Sequence, residues 1–242
     1  VLETAHYTHL DGRPMYLKIA VTGPEADLIG QLLPRFPEKL AITEPPNARL
    51  RLILESSSPG GISFTMLAYP EPATGWDQSP AELQIVEYVK ARVMALSPLF
   101  RSFLDGAFGS ALQPIIRHEL VRRRFDLQAE IAPLAVNIRN PNTRALFEPL
   151  GYRVELESPV FGLPAILLRL IGRQSLMDLV RHLFVIIPAL DQAKQAPLNE
   201  EEARRLSVLS TPWLATHPKR LQVARSYHLR LSQLVPPQTK TS

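Results

Sequence analysis

The sequence predicts an α+β fold: a mixed, largely antiparallel sheet with flanking helices and a helical C-terminal part. Three observations carry this. Short runs that alternate apolar and polar residues recur at 16–22, 49–55, 62–69 and 152–157, the period of a half-buried strand. Two of them are joined by Ser56-Ser57-Ser58-Pro59-Gly60-Gly61, a link of hairpin length. From Ser175 almost to the end, apolar residues instead recur at helical spacing. The 23 prolines fall between these segments as stops, which favours many short elements over a few long ones.

The first strand is Tyr16-Leu17-Lys18-Ile19-Ala20-Val21-Thr22, broken by Gly23-Pro24. A short helix is expected from Glu25 to Leu33, with acids in the first turn where the helix dipole favours them. Strands follow at Arg49–Glu55 and Ile62–Tyr69. Ser79-Pro80 supplies an N-cap and a first-turn proline for a helix to about Leu96, and Ser97-Pro98 repeats the signal for one through Leu104. The Gly106-x-x-Gly109 spacing reads as a steric break. Leu112 to Arg124 is expected to be helical, with cations at its carboxy end.

Leu127 to Val136 reads as a strand interrupted at Pro133. Thr143 to Leu150 is a short helix stopped by Gly151, and Tyr152–Glu157 and Ala165–Gly172 are further strands. Ser175-Leu176-Met177-Asp178 resembles a capping box. The helix behind it is apolar nearly all round, so it is expected to be buried, and Pro188 is expected to kink or end it. In the tail, Asn199 caps Glu200-Glu201-Glu202. Thr211-Pro212-Trp213 is expected to open one short helix, and a last helix is expected from Pro218 to near Leu234.

The apolar content is sufficient for a sizeable core. Residues 1–14 read as an extension ahead of Met15, and 15–242 as one domain, divisible into sub-lobes 15–96 and 97–242. With no cysteine, neither disulfides nor thiolate metal sites are available, as suits a reducing compartment. No run approaches the roughly 20 apolar residues that span a bilayer, and no signal pattern opens the chain, so a cytoplasmic location is expected. The net charge of +4 is unevenly spread: residues 1–97 carry 8 Lys/Arg against 11 Asp/Glu, and 98–242 carry 19 against 12. A basic carboxy-terminal half permits contact with nucleic acid or an acidic partner.

There is no phosphate-binding Gly-x-x-x-x-Gly-Lys-Ser/Thr loop, no strand followed by Gly-x-Gly-x-x-Gly, and no Gly-x-Ser-x-Gly turn. His118-Glu119 lacks a second histidine at zinc-protease spacing, and His6 and His9 have no acidic ligand nearby. His182 lies on the apolar helix and reads as a hydrogen-bonded helix histidine. No cofactor and no metal are expected.

Three ordered blocks carry a resemblance. They are Leu146-Phe147-Glu148-Pro149-Leu150-Gly151-Tyr152-Arg153-Val154-Glu155, the segment Leu179 to Lys194, and Trp213-Leu214-Ala215-Thr216-His217-Pro218-Lys219-Arg220 with the basic helix after it. Residues from about Pro98 to Leu234 resemble the amino-terminal half of the bacterial 3′-terminal RNA ribose 2′-O-methyltransferase of RNA-repair operons. Tyr16 to Leu33 resembles the family's opening strand and helix. The sequence departs from the family at Tyr88–Met94, at Gln195-Ala196-Pro197-Leu198 and over residues 48–80.

The resemblance implies a non-catalytic region that binds a polynucleotide kinase–phosphatase with RNA ligase activity, in a hetero-oligomeric complex, and switches on ligase adenylylation. The methyltransferase half would follow near Leu234, so its activity is not expected of this chain. Exposed polar residues of the matching blocks, Arg144, Glu148, Arg181, Asp191 and Lys194, are the candidate partner surface. The alternative is an RNA-binding module that uses Arg117, Arg122, Arg123, Arg124, Lys219, Arg220 and Arg225.

Overall fold

The computed structural model describes residues 15–32, 41–42, 48–70, 104, 119–134, 141–157, 166–190, 198, 200–229 and 231–235. The helix expected from Ser79 to Leu96, the Gly106–Gly109 break and the Asn199 cap lie outside them. So do all but the last residue of the helix expected from Ser97 to Leu104.

Among the described residues seven strands form one sheet: β1 (Met15–Thr22), β2 (Ala41–Ile42), β3 (Ala48–Ser58), β4 (Gly61–Pro70), β5 (Arg124–Leu134), β6 (Arg153–Glu157) and β7 (Ile166–Ser175). Their order is β2-β3-β4-β1-β5-β7-β6, and every neighbouring pair is antiparallel. The α+β expectation holds. β1, first in the chain, is a central strand, paired with β4 on one side and β5 on the other. The sheet is therefore continuous from the first half of the chain into the second.

The period-2 pattern decides which face is buried. Leu17, Ile19 and Val21 of β1 point the same way as Ile62, Phe64 and Met66 of β4. Phe125, Leu127, Ala129 and Ile131 of β5 and Ile166, Leu168 and Leu170 of β7 join them, and all are buried. The opposite face is polar. There Arg169 bonds Glu130 at 2.9 Å and Glu155 and Glu157 at 3.1 Å each, and Tyr16 donates to Glu130 at 2.7 Å. Lys18 reaches Glu55 at 2.6 Å. Hydrogen bonds donated to Glu155, then to Glu130, hold the Arg169 guanidinium firmly protonated. Burial and the Glu130 bond push the Tyr16 hydroxyl up.

Helices cover the apolar face in two tiers. Next to the sheet lies α3 (Leu176–Leu190), flanked by α1 (Glu119–Arg122), α2 (Pro141–Phe147) and a 3-10 helix at Ala26–Leu32. Outside it pack α4 (Glu200–Leu214), α5 (Arg220–Ser226) and α6 (Leu231–Leu234). Sandwiched between the tiers, α3 buries twelve residues from Leu176 to Leu190, as its all-round apolar sequence requires. The Ser175 hydroxyl accepts from the Asp178 backbone N–H at 3.0 Å and donates to its carboxylate at 2.7 Å, the capping arrangement expected there.

Several elements differ from the sequence reading. The helix expected over 25–33 is a 3-10 helix. The helix expected to reach Arg124 ends at Arg122, because Arg124-Phe125-Asp126 already alternates and pairs with β7 in the register Arg124↔Ser175. Pro188 does not end α3, which continues to Leu190. Nearby, the Tyr227 hydroxyl donates to the Val185 carbonyl at 2.6 Å, in the turn where a proline loosens helix bonding.

Thr211-Pro212-Trp213 is the last part of α4, not a new start: the Thr211 hydroxyl donates back to the Ser207 carbonyl at 2.7 Å and so caps no new turn. The last helix is broken in two at His228, whose φ is 55°, and α6 is held to α4 by Ser210 donating to the Leu234 carbonyl at 2.9 Å.

Gly151 ends the 3-10 turn Glu148–Leu150 with φ 89°, a conformation that suits glycine. Its carbonyl oxygen then passes Gly172 of β7 so closely that a Cβ there would lie 2.7 Å away. The intruded atom is backbone, which cannot swing aside. Gly172→Ala is therefore expected to cost about 1–3 kcal/mol of overpacking, read as a lower midpoint in urea unfolding; an unchanged midpoint would contradict this close approach.

Candidate functional site

The three sequence blocks converge in space. Phe147, at the end of α2, meets Tyr152 edge-on with ring centroids 6.1 Å apart. Tyr152 meets His182 of α3 at 5.7 Å, His182 meets Trp213 of α4 at 5.0 Å, and Trp213 meets His217 at 5.6 Å, each near-perpendicular. His217 Nε2 then returns to the Leu146 carbonyl at 3.1 Å, beside Phe147. The chain of rings closes on itself. One closed contact thus ties α2, the turn before β6, α3, α4 and the segment after α4. Edge-on contacts of this kind favour a fixed geometry beyond the area they bury.

The polar atoms of this ring are occupied. Tyr152 Oη and His182 Nδ1 share a hydrogen bond at 2.9 Å. The Lys219 backbone N–H donates to His217 Nδ1 at 3.1 Å, so that nitrogen carries a lone pair and Nε2–H donates to Leu146. Trp213 Nε1 donates to the Leu209 carbonyl at 3.1 Å. Burial pushes His182 down to about 4, against the opposing influence of Asp178. Burial also lowers His217 and raises the Tyr152 hydroxyl. Two neutral, buried, hydrogen-bonded histidines serve as structural pins. His182 is the hydrogen-bonded helix histidine the sequence suggested.

The candidate surface residues distribute unevenly. Arg144 and Glu148 are exposed neighbours 3.5 Å apart, and Arg144 also donates to the Val154 carbonyl of β6. Arg144 is thus already part of the scaffold, clamping α2 to the β6 edge strand. Arg181 is half-buried on α3, and Asp191 and Lys194 lie outside the described residues.

Of the alternative basic set, Arg117 lies outside the described residues. Arg122, Arg123 and Arg124 are exposed where α1 passes into β5, and Arg123 pairs with Glu25. Exposed Arg220 and Arg225 and half-exposed Lys219 gather around α5 instead. Both α1 and α5 pack on α3, without substantial packing on each other. Among the described residues the basic set therefore forms two groups. Tyr152, Trp213 and His217 were not singled out from the sequence; each sits in a matching block, but only the folded chain brings their rings together.

Among the described residues no group of His, Asp and Glu is arranged to hold a metal ion. No described helix is long and apolar enough to cross a membrane. None of the curated proteins matches the chain significantly. Residues 15–239 match the family described as the RNA repair, ligase-Pnkp-associating, region of Hen1, a span that contains the sheet, both helical tiers and the closed ring. The chain therefore belongs to the family of ligase–Pnkp-associating regions of the RNA-repair protein Hen1.

Proposed function

We propose that this region, as one unit over residues 15–242, docks onto the RNA ligase and polynucleotide kinase–phosphatase partner and switches on ligase adenylylation, with no chemistry of its own. The observation that carries the reading is where the family-like residues go. The three blocks spend Phe147, Tyr152, His182, Trp213 and His217 on a closed, largely buried ring, which leaves their exposed polar residues as the part available to a partner. Arg144, Glu148, Arg181, Asp191 and Lys194 would belong to that surface.

Activation is a population shift: binding that favours the adenylylation-competent arrangement of the ligase raises its occupancy by the ratio of the two affinities. A rigid scaffold suits this role, because a surface already fixed in shape loses little entropy on docking. The complex would be a hetero-oligomer of the bacterial cytoplasm, with RNA held by the partner enzyme.

The test mixes the protein with the purified ligase–kinase–phosphatase partner and ATP, and follows ligase–AMP formation. A rise of about tenfold or more, with co-elution of the two proteins, is expected, equivalent to roughly 1.4 kcal/mol of differential binding. Absence of both stimulation and co-elution would sink the reading.

A further inference from the structure

Two arginines placed in different candidate sets by the sequence are brought together by the packing of α1 on α3. Arg122 ends α1 and is exposed; Arg181 lies in the second turn of α3 and is half-buried. The Nε of Arg181 is shut off from solvent and has no hydrogen-bond partner. Burial holds the Arg181 guanidinium below its ordinary value, Asp178 opposes this, and the positive charge of Arg122 lowers it further. Arg122 and Arg181 are thus cations carried by two helices that pack on each other.

The acceptors nearby do not balance them. Asp178 is one helical turn before Arg181, and its carboxylate already accepts the Ser175 hydroxyl at 2.7 Å. Among the described residues no carboxylate forms an ion pair with Arg122 or Arg181. Other arginines are treated differently: Arg123 pairs with Glu25, Arg144 with Glu148, Arg169 with three glutamates and Arg204 with Glu201. A guanidinium with a buried, unbonded N–H beside a second guanidinium is short of an acceptor. The group that completes it is a planar anion able to take two N–H bonds.

We propose that Arg122 and Arg181 form a receptor for one carboxylate, and that an aspartate or glutamate of the ligase–Pnkp partner inserts there. The proposal rests on the docking reading above and gives it a location and a chemistry. A protein carboxylate fits better than an RNA backbone. Tracking phosphates takes a stripe of cations, and among the described residues no stripe leads away from this pair. Arg123 is paired with Glu25. Arg124 begins β5 on the polar face of the sheet, opposite to the helices, and the cations around α5 form a separate group. The site is small, and Asp178 beside it offsets part of its charge, leaving a balance that suits a single negative charge.

The affinity of the purified protein for the purified ligase–kinase–phosphatase partner tests this by titration calorimetry. Arg122→Glu is expected to weaken binding by about 30-fold or more, because the seated carboxylate then faces a like charge. Arg181→Gln is expected to act in the same direction. The double variant Arg122→Ala/Arg181→Gln is expected to lose little more than the stronger single one, since both residues hold one group. Arg51→Glu, on exposed β3, serves as the charge control and is expected to leave affinity unchanged.

If the wild-type protein binds the partner and Arg122→Glu binds equally well, the receptor is overturned while docking stands. If the wild-type protein does not bind, the docking reading falls first and the receptor with it. If Arg122→Glu keeps partner affinity and instead loses retention of single-stranded oligoribonucleotide, the pair is an RNA contact and the proposal is wrong. Arg122 is exposed, so its substitution reads binding even if the Arg181 variant folds poorly.

Discussion

Phe147→Ala is expected to lower the free energy of unfolding by about 3–5 kcal/mol, the range for truncating a fully enclosed aromatic ring. Phe147 has no exposed surface, and its ring meets Tyr152 edge-on at 6.1 Å. Removing it opens a void at the one point where α2, the turn before β6 and the return contact from His217 to Leu146 meet. The neighbours cannot close the gap cheaply, because Tyr152 is held by His182 and the Leu146 carbonyl by His217. Urea unfolding followed by circular dichroism measures the effect. A loss below about 1 kcal/mol would mean that the ring closes without Phe147. Tyr152→Phe removes a hydroxyl and its hydrogen bond to His182, and its smaller cost, about 1 kcal/mol, separates bonding from packing.

Acidification gives the second large effect. Burial holds His182 down to about 4 in the folded protein, with Asp178 acting against it and His217 and Arg181 in the same direction. In the unfolded chain the same imidazole titrates near its ordinary value of about 6.5. Between those two values the unfolded chain binds a proton that the folded protein refuses. Stability is therefore complete above pH of about 6.5, declines as the pH falls, and levels off for this group below about 4.

The difference corresponds to roughly 3 kcal/mol. His217, also lowered by burial, adds to the loss in the same sense. His182→Gln keeps a polar side chain opposite Tyr152 and removes the titration. Its unfolding free energy is expected to depend much less on pH between 6.5 and 4 than that of the wild type. Equal slopes for the two proteins would contradict a neutral, buried His182.

The parts of the fold that local chemistry controls were readable in the sequence. The strand alternation at 16–22 and 62–69, a hairpin within Ser56–Gly61 (in the structure a two-residue turn at Pro59-Gly60), the Ser175 cap and the burial of α3 follow from side-chain period and backbone preference. The errors lie where a distant partner outweighs local propensity. Arg124 carries a helix-end signal yet starts a strand, because β7 supplies a ladder to pair with. Thr211-Pro212 carries a helix-start signal yet continues α4, because the Thr211 hydroxyl bonds backward. The final helix is interrupted at His228, and the Tyr227 side chain reaches 42 residues back to α3.

By itself the sequence determined an α+β chain with a buried helix, a basic second half, no cysteine chemistry and three blocks of family likeness. Those properties depend on residue type and on spacing of a few positions. Only the tertiary structure decided that the blocks close into one ring, that β1 is central, and that the helices carrying Arg122 and Arg181 pack together. Tyr152 and His182 are 30 residues apart in the chain, and Arg122 and Arg181 are 59 apart. Periodicity does not reach that far; contacts at such separations exist only once the sheet order and the stacking of α3 have fixed which surfaces meet.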